Sequence, residues 1–254
     1  MTATAERQLA GVLRSLHLTG MLDTLEIRLA EARSGKLGHV EFLQVLMEDE
    51  LARRDAAGVQ RRIRAAGFPT EATLEGFDFN YNKALPASTI RDLARLEFIQ
   101  AGEGLLLYGP VGVGKSHIAC ALGHLACRRG YEVRFTTCSK LLAELAGGHA
   151  DRTFAIRVRK LAKPAVLIVD DWAMREFTAS QADDVFELLS ERLERPGRSL
   201  VLTSNRSPAD WYPLFPNAVV GESILDRVLN SSHHVLLEGK SYRPAKRPGR
   251  RSTS

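Results

Sequence analysis

The chain has 254 residues, 44% hydrophobic and 26% charged, with a net charge of +5. That composition supports one full α/β core plus a smaller appended element and excludes a fibrous or wholly disordered chain. No apolar run approaches the ~20 residues of a spanning helix, no basic n-region precedes an apolar stretch, and three cysteines (Cys120, Cys127, Cys138) make no disulfide framework, so the expectation is a soluble cytoplasmic protein without a membrane partner.

Residues 5–66 read as helical. Leu9, Val12, Leu13 and Leu16 recur at helical spacing, as do Met21, Leu22, Leu25 and Leu29, and a second run with Phe42, Leu43, Val45, Leu46 and Leu51 follows the break at Ser34–Gly38. Gly67-Phe68-Pro69 ends the region, giving an N-terminal helical domain over 1–69. Thr73–Phe79 reads as extended, and Pro86–Gln100 resumes helical spacing.

Beyond residue 100 short apolar runs alternate with amphipathic stretches. Strands are expected at Leu105–Tyr108, Glu132–Thr137, Ala165–Val169 and Ser199–Thr203, with a fifth at Val235–Leu237. Helices are expected at Ser116–Arg129, Ser139–Ala146 and Ala179–Glu194. This alternation implies α/β architecture with a parallel sheet covered on both faces. From Lys240 onward the chain is basic and free of acidic residues, and reads as disordered in isolation.

Gly109-Pro110-Val111-Gly112-Val113-Gly114-Lys115-Ser116 fits G-x-x-x-x-G-K-[S/T] between a strand and a helix. The glycines let main-chain N–H groups surround phosphate oxygens, and the helix N-terminus adds donors and a favourable dipole. Lys115 supplies charge to the β- and γ-phosphates, and the Ser116 hydroxyl suits magnesium. The pattern therefore reads as an ATP and magnesium site belonging to a P-loop ATPase.

Val166–Val169 is a buried strand ending in Asp170 and Asp171. Asp170 is expected to hold magnesium and Asp171 to polarise the attacking water; the alternative is that both cap the next helix. Leu200–Thr203 leads to Asn205, a candidate to orient that water, with plain turn chemistry as the alternative. Arg227 is a candidate finger toward a neighbouring subunit's γ-phosphate, or else a salt-bridge partner of Asp226 or Glu222.

Arg152, Arg157, Arg159, Lys160 and Lys163 form a basic cluster that reads either as a DNA phosphate contact or as a solvated helix face. No pattern here reads bases, so any DNA binding is expected to be independent of sequence. His117, Cys120, His124 and Cys127 share a helix face, but their ~15 Å span forbids convergence on one zinc ion. His233 and His234 read as structural.

Taken in order, these residues resemble the IstB-like ATPases, helper proteins of bacterial insertion-sequence transposition and relatives of DnaC-type helicase loaders within the AAA+ class. The resemblance runs from about Leu9 to Arg243. It rests on Leu74–Phe79, on Gly109–Ser116 with His117-Ile118-Ala119, on Val169–Trp172, on Thr203-Ser204-Asn205, on Ile224–Arg227 and on Ser241-Tyr242-Arg243.

The resemblance implies an AAA+ domain over 70–243, a basic tail at 244–254, and ATP/ADP with Mg2+ as cofactors. Lys115 and Ser116 would be the Walker A pair, Asp170 and Asp171 Walker B, Asn205 sensor 1 and Arg227 the trans-acting finger. Phe77 and Phe79 would lie near the adenine, with His117 and Arg243 as further nucleotide contacts. Ala173 departs from the glycine frequent at that place, and no separate helical lid is evident.

The implied function is ATP-dependent assembly of homo-oligomers on double-stranded DNA, directing a transposase. The alternatives are a helicase loader and a DNA-architectural adaptor that binds ATP without turnover.

Overall fold

The computed structural model describes residues 2–79, 81, 82 and 84–242, in two compact units, Met1–Arg61 and Arg62–Ser254. Arg243 and the basic tail at 244–254 lie outside the described residues. No helix among the described residues is long and apolar enough to cross a membrane.

The first unit is built from α1 (Thr2–Ser15), α2 (Thr19–Arg33) and the start of α3 (His39–Ala66). Leu13, Met21, Leu25 and Leu46 form its core. The residue before α2, Leu18, offers no side chain to cap the helix. The open N–H groups of Gly20 and Met21 instead donate to the Glu50 carboxylate from α3, at 2.6 and 3.4 Å. A carboxylate there also suits the positive end of the α2 dipole. Glycine at 20 permits this approach, since a Cβ would stand 2.8 Å from Asp49 O and Glu50 Cα.

In the second unit α4 (Ala87–Leu93) and α5 (Glu97–Ala101) precede β1 (Gly104–Tyr108) and α6 (Lys115–Arg128). Then come β2 (Val133–Thr137), α7 (Cys138–Ala150), α8 (Phe154–Ala162), β3 (Val166–Asp170), α9 (Ala179–Leu193) and β4 (Ser199–Ser204). A 3-10 turn (Pro208–Leu214), α10 (Ala218–Asn230) and β5 (Ser232–Leu236) complete it. The five strands are parallel in the order β2-β3-β4-β1-β5.

Alternate strand residues feed two cores, as a pleat with helices on both faces requires. Leu105, Leu107, Ile168 and Val201 pack with α6. Leu106, Leu167, Val169 and Leu202 pack with α7 to α10 and with Trp172 and Trp211.

The structure corrects several expectations. Thr73–Phe79 is a turn, not an extended segment: the Thr73 hydroxyl accepts Gly76 N–H and Phe77 N–H returns to the Leu74 carbonyl. Helix α10 arises where none was expected, α8 forms where the basic cluster had a helix face as one of its two readings, and β5 begins three residues earlier. Lys240–Tyr242, read as the start of a disordered tail, packs against the main body through Tyr242 N–H and the Gly112 carbonyl.

Two carboxylates of α3, the ion-paired Asp49 and the capping Glu50, make the stability of the first unit acid-sensitive. The hydrogen bond from Arg28 holds Asp49 below the ordinary carboxylate range against the cost of burial. Burial alone would raise Glu50, but hydrogen bonds from Arg54, Gly20 and Met21 outweigh it and leave Glu50 lowered. Groups depressed on folding stabilise fully above their unfolded values, ~4, and lose that contribution as pH falls through the folded ones. Hydrogen-exchange protection of the Gly20 and Met21 amides, corrected for intrinsic rates, should hold from pH 7 to about 5 and collapse below about 4. Glu50→Gln should weaken it already at pH 7; protection unchanged to pH 2 would contradict the role of Glu50.

Candidate functional site

The loop between β1 and α6 turns through three left-handed glycines, Gly109, Gly112 and Gly114, with φ of 137, 85 and 107°. Each is also sterically committed: a Cβ would meet the Leu237 carbonyl, the Ser241 hydroxyl and the Phe77 ring respectively. No side chain caps α6. Among the described residues, the N–H groups of Val111, Gly112, Val113 and Gly114 donate to no protein acceptor, so the loop presents successive donors suited to an anion. Lys115 is buried beneath it, its Nζ donating to the carbonyls of Gly109 (2.8 Å) and Pro110 (2.7 Å).

β3 delivers Asp170 to the same place. Its carboxylate is 8% exposed and accepts the Ser116 hydroxyl at 2.7 Å; the Thr203 hydroxyl from the end of β4 donates to the same oxygen. One carboxylate and two hydroxyls form a hard-oxygen set, the chemistry magnesium takes when it shares its shell with phosphate and water. No group of three or more His, Cys, Asp or Glu among the described residues could hold a metal by itself. Ser116 and Asp170 are thus the residues that fit the ion.

The turn after β3 is left-handed at Asp171 and Ala173, both at φ 56°. Alanine at 173 therefore adopts a conformation that glycine would enter more easily. The turn is held by β4: Asp171 N–H donates to the Thr203 hydroxyl (3.2 Å), Trp172 N–H to the Thr203 carbonyl (2.8 Å), and the Ser204 hydroxyl to the Trp172 carbonyl (2.8 Å). Trp172 is fully buried, so Asp171 is turned outward. Asp171 and Asn205 line one pocket of about 270 Å³ with the loop residues Val111–Ser116 and His117. The Asn205 amide donates to Met174 Sδ at 3.3 Å.

Phe77 lines this pocket, its ring against Gly114, whereas Phe79 lines a separate cavity beneath Arg91, whose guanidinium lies 5.7 Å from the ring centre. Arg227 sits exposed in the last turn of α10, outside the pocket lining, and among the described residues it pairs with neither Asp226 nor Glu222. In the basic cluster, Arg157 is committed to joining α7 and α8: it pairs with Asp151 and donates to the Glu144 carbonyl and the Thr153 hydroxyl, both at 2.8 Å. Arg152, Arg159, Lys160 and Lys163 are exposed. His117 and His124 meet the carbonyls of Thr73 (3.2 Å) and Thr70 (3.3 Å).

Sequence reasoning missed Thr203 as a partner of Asp170, because a threonine ending a strand is ordinary. It also missed Tyr81, Asn82 and Tyr242 in the pocket wall. Tyr242 alone had a signal, its place in Ser241-Tyr242-Arg243.

A family model described as IstB-like ATP binding protein matches residues 11–249. A relative in Mycobacterium tuberculosis, named as an ATP-binding protein in an insertion sequence, is 57% identical over 242 residues, covering 95% of this chain and 96% of its own. Among solved structures, the DnaC helicase loader aligns with TM-score 0.53 and 19% identity, over 70% of this chain and 99% of its own. The replication initiator DnaA bound to AMPPCP and single-stranded DNA aligns with TM-score 0.57 and 19% identity over 68% of this chain, which spans about half (52%) of that protein. The structural likenesses identify the fold as P-loop AAA+.

The three thiols are buried and unpaired. Burial, and then the nearby Asp170 charge, pushes Cys120 up to about 12; burial likewise raises Cys127 and Cys138 to about 11. The thiolate is the reactive form, so at pH 8 all three should resist iodoacetamide in the native chain and be alkylated in denaturant. Rapid native labelling of Cys120, read by mass spectrometry, would contradict the packing of α6 on the sheet.

Proposed function

The chain belongs to the IstB-like ATP-binding proteins, and from that premise we propose that it is an ATPase controlling transposition of an insertion sequence. The observation that carries the proposal is the meeting of Ser116, Asp170 and Thr203 beside a loop of open N–H donors, with Asp171 and Asn205 in the same pocket wall. A purely structural glycine turn would need neither the buried Lys115 nor a polar wall opposite it.

In the proposed reaction water attacks the γ-phosphorus of ATP and releases ADP and phosphate. Magnesium, when bound, supplies neutralising charge to the β- and γ-oxygens, and Ser116 and Asp170 would hold it. Lys115 would leave its two carbonyl partners for phosphate oxygens. Asp171 would accept a hydrogen bond from the attacking water, and the Asn205 amide would orient it, exchanging Met174 Sδ for an oxygen. Arg227 would reach a neighbour's γ-phosphate in a homo-oligomer, which its exposure outside this chain's pocket supports.

Relatives named for insertion sequences support transposition as the setting. The client would be the element's transposase, and the assembly would bind double-stranded DNA through phosphates alone. The exposed Arg152, Arg159, Lys160 and Lys163 are the proposed contacts. Arg157 is set apart from them, since its guanidinium is already engaged.

Two measurements test the chemistry. Lys115→Ala should abolish saturable ATP binding, whereas Asp171→Asn should bind ATP within about threefold of the native protein and lose about 100-fold or more in turnover, the size of a removed general base. Turnover untouched by Asp171→Asn would remove that residue from the mechanism. Mixtures of Arg227→Ala and Lys115→Ala subunits should regain DNA-stimulated ATPase that neither has alone; no recovery at any ratio would place the arginine outside the neighbour's site.

A further inference from the structure

We propose that Tyr81 and Tyr242 hold the nucleobase, and that Glu238–Tyr242 is a strap fixing them against the phosphate loop. The inference deepens the ATPase reading and rests on Gly109–Ser116 taking a triphosphate.

The pocket combines two chemistries. Main-chain donors suit phosphate, whereas the ring faces of Tyr81 and Tyr242 and the Leu85 side chain are apolar surface that phosphate does not use. Flat apolar faces beside a triphosphate cradle suit a base, which stacks on aromatic rings. Of two phenylalanines nearby, one shares this wall and the other does not. Phe77 lies against Gly114 with an edge on Phe79, and Phe79 faces the other cavity. The Tyr81 and Tyr242 rings stand 4.6 Å apart at 86°, so one ring's face meets the other's edge at the cavity wall.

Two polar groups beside this pair are engaged by the strap. The Tyr81 hydroxyl donates to the Ser241 carbonyl (3.1 Å), and the buried Asn82 amide donates to the Glu238 carbonyl (2.6 Å) while its oxygen accepts Ala84 N–H (3.3 Å). Asn82 therefore braces the strap and does not read base edges. Recognition by ring area follows, with purines bound more tightly than pyrimidines.

The strap reaches the phosphate loop directly, because Tyr242 N–H donates to the Gly112 carbonyl at 2.8 Å. Two glycines make the approach possible. A Cβ on Gly112 (φ 85°) would fall 2.1 Å from the Ser241 hydroxyl, and one on Gly239 (φ 112°) 1.9 Å from Asn82 Oδ1. Backbone conformation and space together commit this segment to lie across the loop.

The test compares ATP with inorganic tripolyphosphate, which has the charge without the base, each competing with a fluorescent ATP analogue. Tyr242→Ala should weaken ATP about tenfold and leave tripolyphosphate within about twofold, while Tyr242→Phe keeps both. Tyr81→Ala should act in the same direction. Equal loss for both ligands, or ATP binding untouched by both alanine substitutions, overturns the base assignment while the triphosphate site stands. If the native chain binds neither ligand, the triphosphate reading falls and the base assignment with it.

Discussion

A single buried carboxylate, Asp170, joins the three elements that make the pocket. It ends β3, takes a hydroxyl from the first turn of α6 through Ser116, and takes another from the end of β4 through Thr203. Burying a carboxylate is costly unless its oxygens are hydrogen-bonded. The two hydroxyls meet that requirement for one of the two oxygens and also fix the relative positions of the helix that starts at the phosphate loop and the strand that leads to Asn205. Losing either hydroxyl would therefore loosen geometry as well as remove a donor.

The strained turn beyond Asp170 follows from the same register. Two left-handed non-glycine residues, at ~1 kcal/mol each or more, would not persist in an unsupported loop. Thr203 and Ser204 hold the turn through main chain and hydroxyl, and the Ser204 hydroxyl also accepts the indole N–H of the fully buried Trp211 at 3.2 Å. Burial of Trp172 on one side compels Asp171 to face the other. The outward carboxylate is thus a consequence of packing an indole beneath it.

How far the site was legible in sequence depended on whether a constraint was local. The phosphate loop and the aliphatic run into Asp170 and Asp171 were readable because spacing and continuous apolarity are local. Helix α10 was not, and α8 was legible only as one of two readings of a basic cluster, since it is short and its buried face is only Val158, Leu161 and Ala162. The strap was unreadable for a different reason. Its charged and small residues look like a tail, and it takes contacts between positions more than 120 residues apart, such as Tyr242 N–H on the Gly112 carbonyl, to show that the chain returns to the loop. Phe79 and Phe77, two residues apart, looked equivalent, but the turn in which they lie sends their rings to different cavities.

The positive charge of the chain needs the same care. A net charge of +5 suggests a polyanion partner, yet several arginines are structural. Arg192 is fully buried at the base of the sheet, where its guanidinium donates to the carbonyls of Ala162, Pro164, Ala165 and Ser199. Arg62 donates to the Cys127 carbonyl at 2.8 Å, and Arg157 ties α7 to α8. Arginine suits such sites because its planar fork satisfies several acceptors at once, whereas lysine keeps a compact, strongly hydrated charge. A count of basic residues therefore overstates the cations offered to a polyanion. The surface that could carry one is defined by which guanidinium and ammonium groups the fold leaves in water, and in the α8 region those are Arg152, Arg159, Lys160 and Lys163, without Arg157.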